Sequence, residues 1–215
     1  MSARLERSTA VVGRELERYN IDIAALSEIC LSEEGQICEK GAGYTFFWKG
    51  KPAGVKREGG IGFTVRCALV EQIEQPHGTS DRIMCLRVPL ACGRYMTVIS
   101  VYAPTLISSD EIILSFYQDL RDYVNSILQT DKIVLLGDFN ARVGCDGDTW
   151  DALGKFGLGK MNSSGLLLLQ LCTELDLAIC NTFFHHKAIH KDIWIHPRSK
   201  QGHILDYIIT RKRDL

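Results

Sequence analysis

The segment KIVLLGDFNARVG, residues 132–144, constrains the fold more than any other part of the sequence. It opens with a short apolar run rich in branched residues, which is typical of a buried strand. Gly137 ends that run, and Asp138 and Asn140 follow at once. On an extended strand, Asp138 and Asn140 project from the same face. The segment therefore predicts a rigid core strand that carries a carboxylate and an amide into one polar site.

The remaining pattern predicts an α/β domain, in which two mixed sheets pack together with helices outside. Helical periodicity predicts helices over residues 3–19 and 109–128, the second opened by a capping box at Ser108 and Glu111, and a buried helix in SSGLLLLQLCTELDL. Strands are predicted at 21–28, 44–48, 61–70, 82–90, 94–105 and 178–182, with a hairpin at Cys92-Gly93 and a final hairpin of 192–197 and 203–210. The total is roughly eight strands and three helices.

The net charge and the cysteines limit the kinds of partner and compartment that this chain can have. The net charge of −1 provides no global positive field, so any nucleic-acid binding depends on a local patch. The eight cysteines include no Cys-x-x-Cys pair, and several lie inside apolar runs, which favours free thiols in a reducing intracellular compartment over disulfides. The N-terminal segment is charged throughout, which indicates neither a signal peptide nor a membrane span.

Polar side chains stand at the ends of several predicted strands, at Glu28, Tyr102, Asp138 and Asn140, and Asp206 lies inside the last one. One such acid alone is more often a turn residue or a helix cap, and one such tyrosine is more often at the edge of a core. Strand ends on one rim of a sheet converge, however, and this set suits metal-assisted phosphodiester cleavage. Mg²⁺ takes carboxylate oxygens, a second carboxylate can activate water, and an amide and a phenol can bind phosphate.

The order of motifs resembles a known family. The segments ALSE, VYAPT, LLGDFNARVG, GLLLLQLC, CNTFF, HPRS and LDYIIT follow one another as they do in the endonuclease/exonuclease/phosphatase superfamily. From about residue 4 to residue 214 the sequence most resembles the apurinic-like endonuclease domain of RTE-type non-LTR retrotransposons and related host proteins called craniofacial development protein 2-like. The resemblance implies the DNase I-like fold, a four-layer α/β/β/α sandwich with the active site at one edge.

The resemblance also implies roles for individual residues. Glu28 is similar to the family's metal-binding Glu, and Tyr102 to the catalytic Tyr of its Tyr-x-Pro motif. Asp138 resembles the Asp that holds the nucleophilic water, Asn140 the Asn that binds phosphate, and Asp206 the Asp that orients the catalytic His. The implied cofactor is Mg²⁺, with Mn²⁺ as a substitute.

Two family elements have no counterpart in this chain. The family's Ser-Asp-His motif lies downstream of LDY, and a strand with an active-site Asn precedes its first helix. We therefore expect residues 1–215 to form one domain that is incomplete at both ends and whose cleavage of DNA is severely impaired. His203 is a poor substitute for the missing base, because it lies three residues before Asp206 and so points to the opposite strand face.

The expected partner is DNA. Loop cations that include Arg142, Lys155 and Arg198 could form a phosphate-binding rim, although solvated surface charge explains them equally well. The resemblance further implies origin from, or fusion to, a reverse transcriptase, and makes a nuclear location an expectation. Two alternatives remain open. One is a non-catalytic descendant that serves as a binding or structural module, and the other is a phosphatase or phospholipase of the superfamily, which the motif around GDFN disfavours.

Overall fold

The structure, a computed structural model, describes residues 3–56, 59–185, 194–195 and 202–215. It divides into two compact units, Met1–Val101 and Tyr102–Leu215. The α-helices in the described ranges are α1 (Ala3–Arg18), α2 (Cys67–Val70), α3 (Asp110–Ser126) and α4 (Ser163–Glu174). The strands there are β1 (Ile23–Ser27), β2 (Glu34–Glu39), β3 (Tyr44–Lys49), β4 (Ile61–Arg66), β5 (His77–Gly78), β6 (Ile83–Pro89), β7 (Tyr95–Tyr102), β8 (Lys132–Asp138), β9 (Leu177–Ile179), β10 (Trp194–Ile195), β11 (Gly202–His203) and β12 (Asp206–Arg211).

The first unit is built on an antiparallel sheet with strand order β1-β4-β3-β2. The predicted amphipathic helix is confirmed as α1, whose Val12 and Leu16 pack against a buried cluster of Ala42, Tyr44 and Phe46. The strands β3 and β4 are buried along most of their length, on both faces of the sheet.

Two features of this sheet differ from the prediction. The edge strand β2 was missed, because Ile37 is its only large aliphatic residue and its outward residues are exposed. The strand predicted over 61–70 ends at Arg66, and the helix α2 begins at Cys67. The four apolar or small residues of α2 fit the side-chain period of a strand as well as that of a helix. The sequence pattern alone therefore could not locate the end of the strand.

The other strands of the first unit run in the order β5-β6-β7, each antiparallel to the next. The predicted hairpin is confirmed, and Cys92 and Gly93 in its turn have φ angles of 62° and 68°. Ile83 and Leu86 of β6 and Ile99 of β7 are almost fully buried, so this hairpin contributes to the core of the unit.

In the second unit, β12 lies between β8 and β9 and is antiparallel to both. The helices α3 and α4 pack together, and the Tyr117 hydroxyl donates to the Ser164 carbonyl at 3.1 Å. Leu168 and Leu169 of α4 are fully buried, in agreement with the buried helix predicted there. None of the helices within the described ranges is long and apolar enough to cross a membrane.

Two predicted boundaries in this unit were wrong. The capping box predicted at Ser108 and Glu111 was wrong: the residue before α3 is Ser109, which makes no side-chain capping bond, and Ser108 belongs to the preceding turn. In the C-terminal region, β10 pairs with the separate short strand β11, and β12 starts at Asp206. Asp206 therefore opens its strand instead of lying inside it.

Candidate active site

The strand β8 delivers Asp138 to the edge of the second unit. Ile133 and Leu135 are fully buried, which anchors the strand in the core. Gly137 has a φ of 143°, a backbone conformation that side-chain-bearing residues rarely adopt. A glycine is therefore required directly before the acid, and the half-buried Asp138 follows as the last residue of the strand.

Asp138 and Asn140 are brought together by a turn, not by a shared strand face as predicted. The strand ends at Asp138, and Asn140 has a φ of 46°, a region that asparagine tolerates better than most residues. The Asn140 amide nitrogen donates to Asp138 Oδ1 at 2.8 Å, which is the bond of an Asx turn. Its side-chain Nδ2 donates to the Ala103 carbonyl at 2.9 Å. The backbone amide of Asn140 is thus held at the carboxylate, and its side-chain amide is held at Ala103.

Asp206 lies directly opposite Asp138 in the antiparallel pairing of β12 with β8. Opposed residues of such a ladder share a face, with their Cβ atoms about 4.5–5.5 Å apart. Both residues are half-buried. Burial raises the pKa of Asp206 above its usual value, because removal from water disfavours the charged form. The site therefore contains two facing carboxylates, one of which retains its proton to higher pH than an exposed aspartate.

The backbone after Tyr102 belongs to the same arrangement. Ala103 donates its amide hydrogen to the Asp138 carbonyl at 2.8 Å and accepts the bond from Asn140 through its own carbonyl. Tyr102 ends β7 immediately before this anchor and is only 8% exposed. The structure thus gathers Asp138, Asn140 and Asp206 and fixes the chain next to Tyr102. Their catalytic roles stay predictions.

Two supporting residues were missed by sequence reasoning. The Tyr207 hydroxyl lies 3.1 Å from the Ala141 carbonyl and 2.9 Å from the Ile204 carbonyl, so it links the two segments that flank the facing carboxylates. The Asn181 side chain donates to the Asp206 carbonyl at 3.4 Å. These roles depend on contacts between distant parts of the chain. In the sequence, only the position of Tyr207 directly after Asp206 indicated such a supporting role.

Glu28 belongs to the first unit and follows β1 directly. It is exposed and has a φ of 55°, which marks it as a turn residue as well as a strand-end acid. The amides of Ile29 and Cys30 donate to Gly60 and Gly59, and these bonds hold the turn in place. Its assignment as a metal ligand stays a prediction.

Of the three residues predicted to contact DNA, the structure describes Arg142 and Lys155. The backbone of Arg142 is fixed by Asn162, which accepts from the Arg142 amide through Oδ1 and donates its own amide to the Arg142 carbonyl, both at 3.0 Å. Asn162 also caps α4 through the amide of Gly165 at 2.8 Å. Lys155 is exposed on the loop before α4. Arg198 and the side chain of His203 lie outside the described residues.

The donor set is compatible with Mg²⁺. In the described part of the chain no group of three His, Cys, Asp or Glu side chains is placed to hold a metal ion. Mg²⁺ does not need such a group, because it binds one or two carboxylates and completes its shell with water and phosphate. The opposed Asp138 and Asp206 supply hard oxygen donors, and a divalent cation would relieve their mutual repulsion.

Comparison with known proteins gives relatives along almost the whole chain. Craniofacial development protein 2 from Bos taurus and from Tragulus javanicus are each 30% identical over 205 residues, which is 94% of this chain. The chain spans about a third of the length of these curated relatives, 33% and 34% respectively.

Solved structures show the same fold. The 3′ phosphatase NExo from Neisseria, bound to a product DNA hairpin, has a TM-score of 0.63 at 18% identity and covers 96% of this chain and 82% of its own. The endonuclease domain of TRAS1, a telomere-specific non-LTR retrotransposon, has a TM-score of 0.61 at 15% identity, with 95% and 80% covered. AP endonuclease LMAP from Leishmania major has a TM-score of 0.68 at 11% identity, with 97% and 75% covered. These similarities confirm the predicted DNase I-like α/β fold.

The sequence match to the endonuclease/exonuclease/phosphatase family extends over residues 2–215. It includes the strand that ends in Asp138, the turn that holds Asn140 and the strand that begins with Asp206. The chain therefore belongs to the endonuclease/exonuclease/phosphatase family.

Proposed function

We propose that this chain is a magnesium-dependent phosphodiesterase domain that cleaves DNA. The observation that carries the proposal is the direct opposition of Asp138 and Asp206, beside the turn that fixes Asn140. Membership of the endonuclease/exonuclease/phosphatase family and the similarity in fold to DNA-acting proteins support it.

Asp138 is the group that holds and deprotonates the attacking water. A carboxylate accepts several hydrogen bonds at once, so the bond from the Asn140 amide orients Asp138 without using its full capacity. Asp206 faces it, and its raised pKa suits a group that exchanges a proton during the reaction.

Asn140 binds a non-bridging phosphate oxygen. Its amide group has two N–H donors, and the contact with the Ala103 carbonyl uses one of them at 2.9 Å. The second N–H is then oriented by the first, and a fixed neutral donor stabilises charge that develops on the phosphate. Tyr102, next to this anchor, provides a second neutral donor in the proposal.

Mg²⁺, when bound, polarises the phosphate and neutralises part of its charge. Asp138 and Asp206 would hold it. The family resemblance separately implies that Glu28 is a metal ligand. Mn²⁺ accepts the same oxygen ligands and would substitute for it.

The proposed substrate is DNA, held at its phosphates by Arg142, Lys155 and Arg198. We also propose that the domain derives from a non-LTR retrotransposon, in view of its similarity in fold to the TRAS1 endonuclease domain. A reverse-transcriptase coding sequence adjoining the gene would support this origin. Adjoining sequence without any trace of one would count against it.

The activity is tested by nicking of supercoiled plasmid in enzyme excess with Mg²⁺, and in parallel with Mn²⁺. We expect nicking that EDTA stops and that falls by about 10²–10⁴-fold in Asp138→Asn. Asp119→Asn is the matched control, because Asp119 is an exposed aspartate of α3, and it should nick like the wild type.

Two outcomes would refute the proposal. Equal nicking by Asp138→Asn and the wild type would exclude the site. A folded wild-type chain that binds the plasmid but cleaves it with neither metal would be a non-catalytic binding module.

A further inference from the structure

The first unit contains two cysteine thiols in direct contact. The Sγ atoms of Cys38 and Cys67 are 3.7 Å apart. Cys38 is exposed at the edge strand β2, and Cys67 is half-buried at the start of α2. Neither residue takes part in the proposed phosphodiesterase chemistry, so the contact requires a separate explanation.

The sheet itself brings the two thiols together. Cys38 lies directly opposite Thr45 in the pairing of β2 with β3, and Thr45 Oγ1 is 3.5 Å from Cys67 Sγ. The Cys67 amide donates to the Gly43 carbonyl at 2.8 Å, which fixes its backbone beside the same strand. Strand pairing holds Cys38 and a backbone hydrogen bond holds Cys67, so the contact does not depend on a long loop closing over the sheet.

We propose that Cys38 and Cys67 form a redox modification site, which closes to an intramolecular disulfide in the presence of a hydroperoxide and is reopened by a dithiol reductant. A disulfide bond is about 2.05 Å long, so the sulfur atoms must approach by about 1.7 Å from their separation of 3.7 Å. Side-chain rotation about Cα–Cβ supplies movement on this scale without a change of strand register.

Cys38 reacts first, because it is the exposed member of the pair. Its thiolate attacks one peroxide oxygen, an S–O bond forms, the O–O bond breaks, and protonation of the leaving oxygen gives water and a Cys38 sulfenic acid. The Cys67 thiol then attacks the Cys38 sulfur, and its proton passes to the leaving hydroxyl group. An S–S bond forms, the S–O bond breaks, and a second water leaves. Two thiols and one hydrogen peroxide thus become one disulfide and two waters.

The environment of Cys67 supports this order. Burial raises the pKa of the Cys67 thiol, while its hydrogen bond with Thr45 opposes that effect. Cys67 therefore stays protonated at pH values where an exposed thiol has begun to ionise, and it acts as the resolving thiol.

The experiment treats the full chain with a slight excess of hydrogen peroxide, followed by intact mass measurement and non-reducing peptide mapping. We expect loss of two hydrogens, a peptide pair that links residues 38 and 67, and complete reversal by dithiothreitol. The oxidised wild type should melt on the order of 5–10 °C higher than the reduced protein, because the cross-link restricts the unfolded chain.

The variants decide the assignment. Cys38→Ser and Cys67→Ser should each abolish the linked species and the melting shift. Cys92→Ser, which removes another exposed thiol, should retain both. Overoxidation without a 38–67 link, links to other cysteines, or a link that persists in Cys38→Ser would overturn the proposal. Because Cys38 is exposed, that variant is decisive even if Cys67→Ser does not fold.

Discussion

Replacing Asp206 by asparagine should stabilise the protein while removing its activity. Asp206 lies opposite Asp138, and burial raises its pKa. The ionised carboxylate is therefore less favourable in the folded state than in the unfolded chain. Asparagine preserves the shape of the side chain but carries no charge, so it removes this unfavourable interaction.

The expected gain is small but measurable. Burial causes the raised pKa, so the gain is the desolvation cost of a half-buried carboxylate, which is on the order of 1 kcal/mol once its partial exposure is allowed for. For a chain of 215 residues, 1 kcal/mol corresponds to roughly 2–4 °C in melting temperature. We therefore expect Asp206→Asn to melt up to about 4 °C above the wild type at neutral pH in the absence of divalent metal.

The gain should depend on pH in a defined direction. A carboxyl group whose folded-state pKa is raised favours folding at pH values below its unfolded pKa, and this contribution is lost as the pH rises through the folded-state pKa. The difference between Asp206→Asn and the wild type should therefore be greatest at neutral pH. It should shrink as the pH falls through the folded-state pKa, where Asp206 itself becomes protonated.

The assay is urea-induced unfolding at several pH values, in EDTA, with Asp119→Asn as an exposed control that should show no such trend. Plasmid nicking by the same proteins gives the functional readout, and Asp206→Asn should be strongly impaired. A variant that is less stable than the wild type at neutral pH, or a difference that does not change with pH, would refute the reasoning.

Three further outcomes are expected. Asn162→Ala removes the cap to Gly165 and the bond to Arg142, so urea unfolding should show a loss of about 2–3 kcal/mol, whereas Asn162→Asp keeps the acceptor and most of the stability. If the unfolding free energy of the Ala variant lies within about 0.5 kcal/mol of the wild type, Asn162 does not have both roles. Tyr207→Phe removes the hydroxyl that links two backbone segments, so it should lower the free energy of unfolding by about 1–2 kcal/mol and reduce nicking. Unchanged nicking would show that Tyr207 does not position the site. Mg²⁺ should raise the melting temperature of the wild type more than that of Glu28→Gln in a thermal scan, and equal shifts would exclude Glu28 from the metal site.

Local pattern in the sequence determined much of the secondary structure. The apolar run before Gly137 identified β8, helical periodicity identified α1 and α3, and the turn residues Cys92 and Gly93 identified a hairpin. These elements were predictable because each depends on side-chain periodicity or turn chemistry within a few residues. The motifs around Asp138 also indicated the family, which the match over residues 2–215 confirms.

The placement of the site was decided only by the tertiary structure. The opposition of Asp206 and Asp138 is a matter of register between strands far apart in sequence, and alternation indicates the face of a residue but not its partner. The direction of the Asn140 side chain depends on an acceptor supplied by Ala103, far away in the sequence. The contact between Cys38 and Cys67 likewise requires strand pairing and the start of a helix to coincide. Long-range hydrogen bonding and packing set all three arrangements, and no local pattern in the chain specifies them.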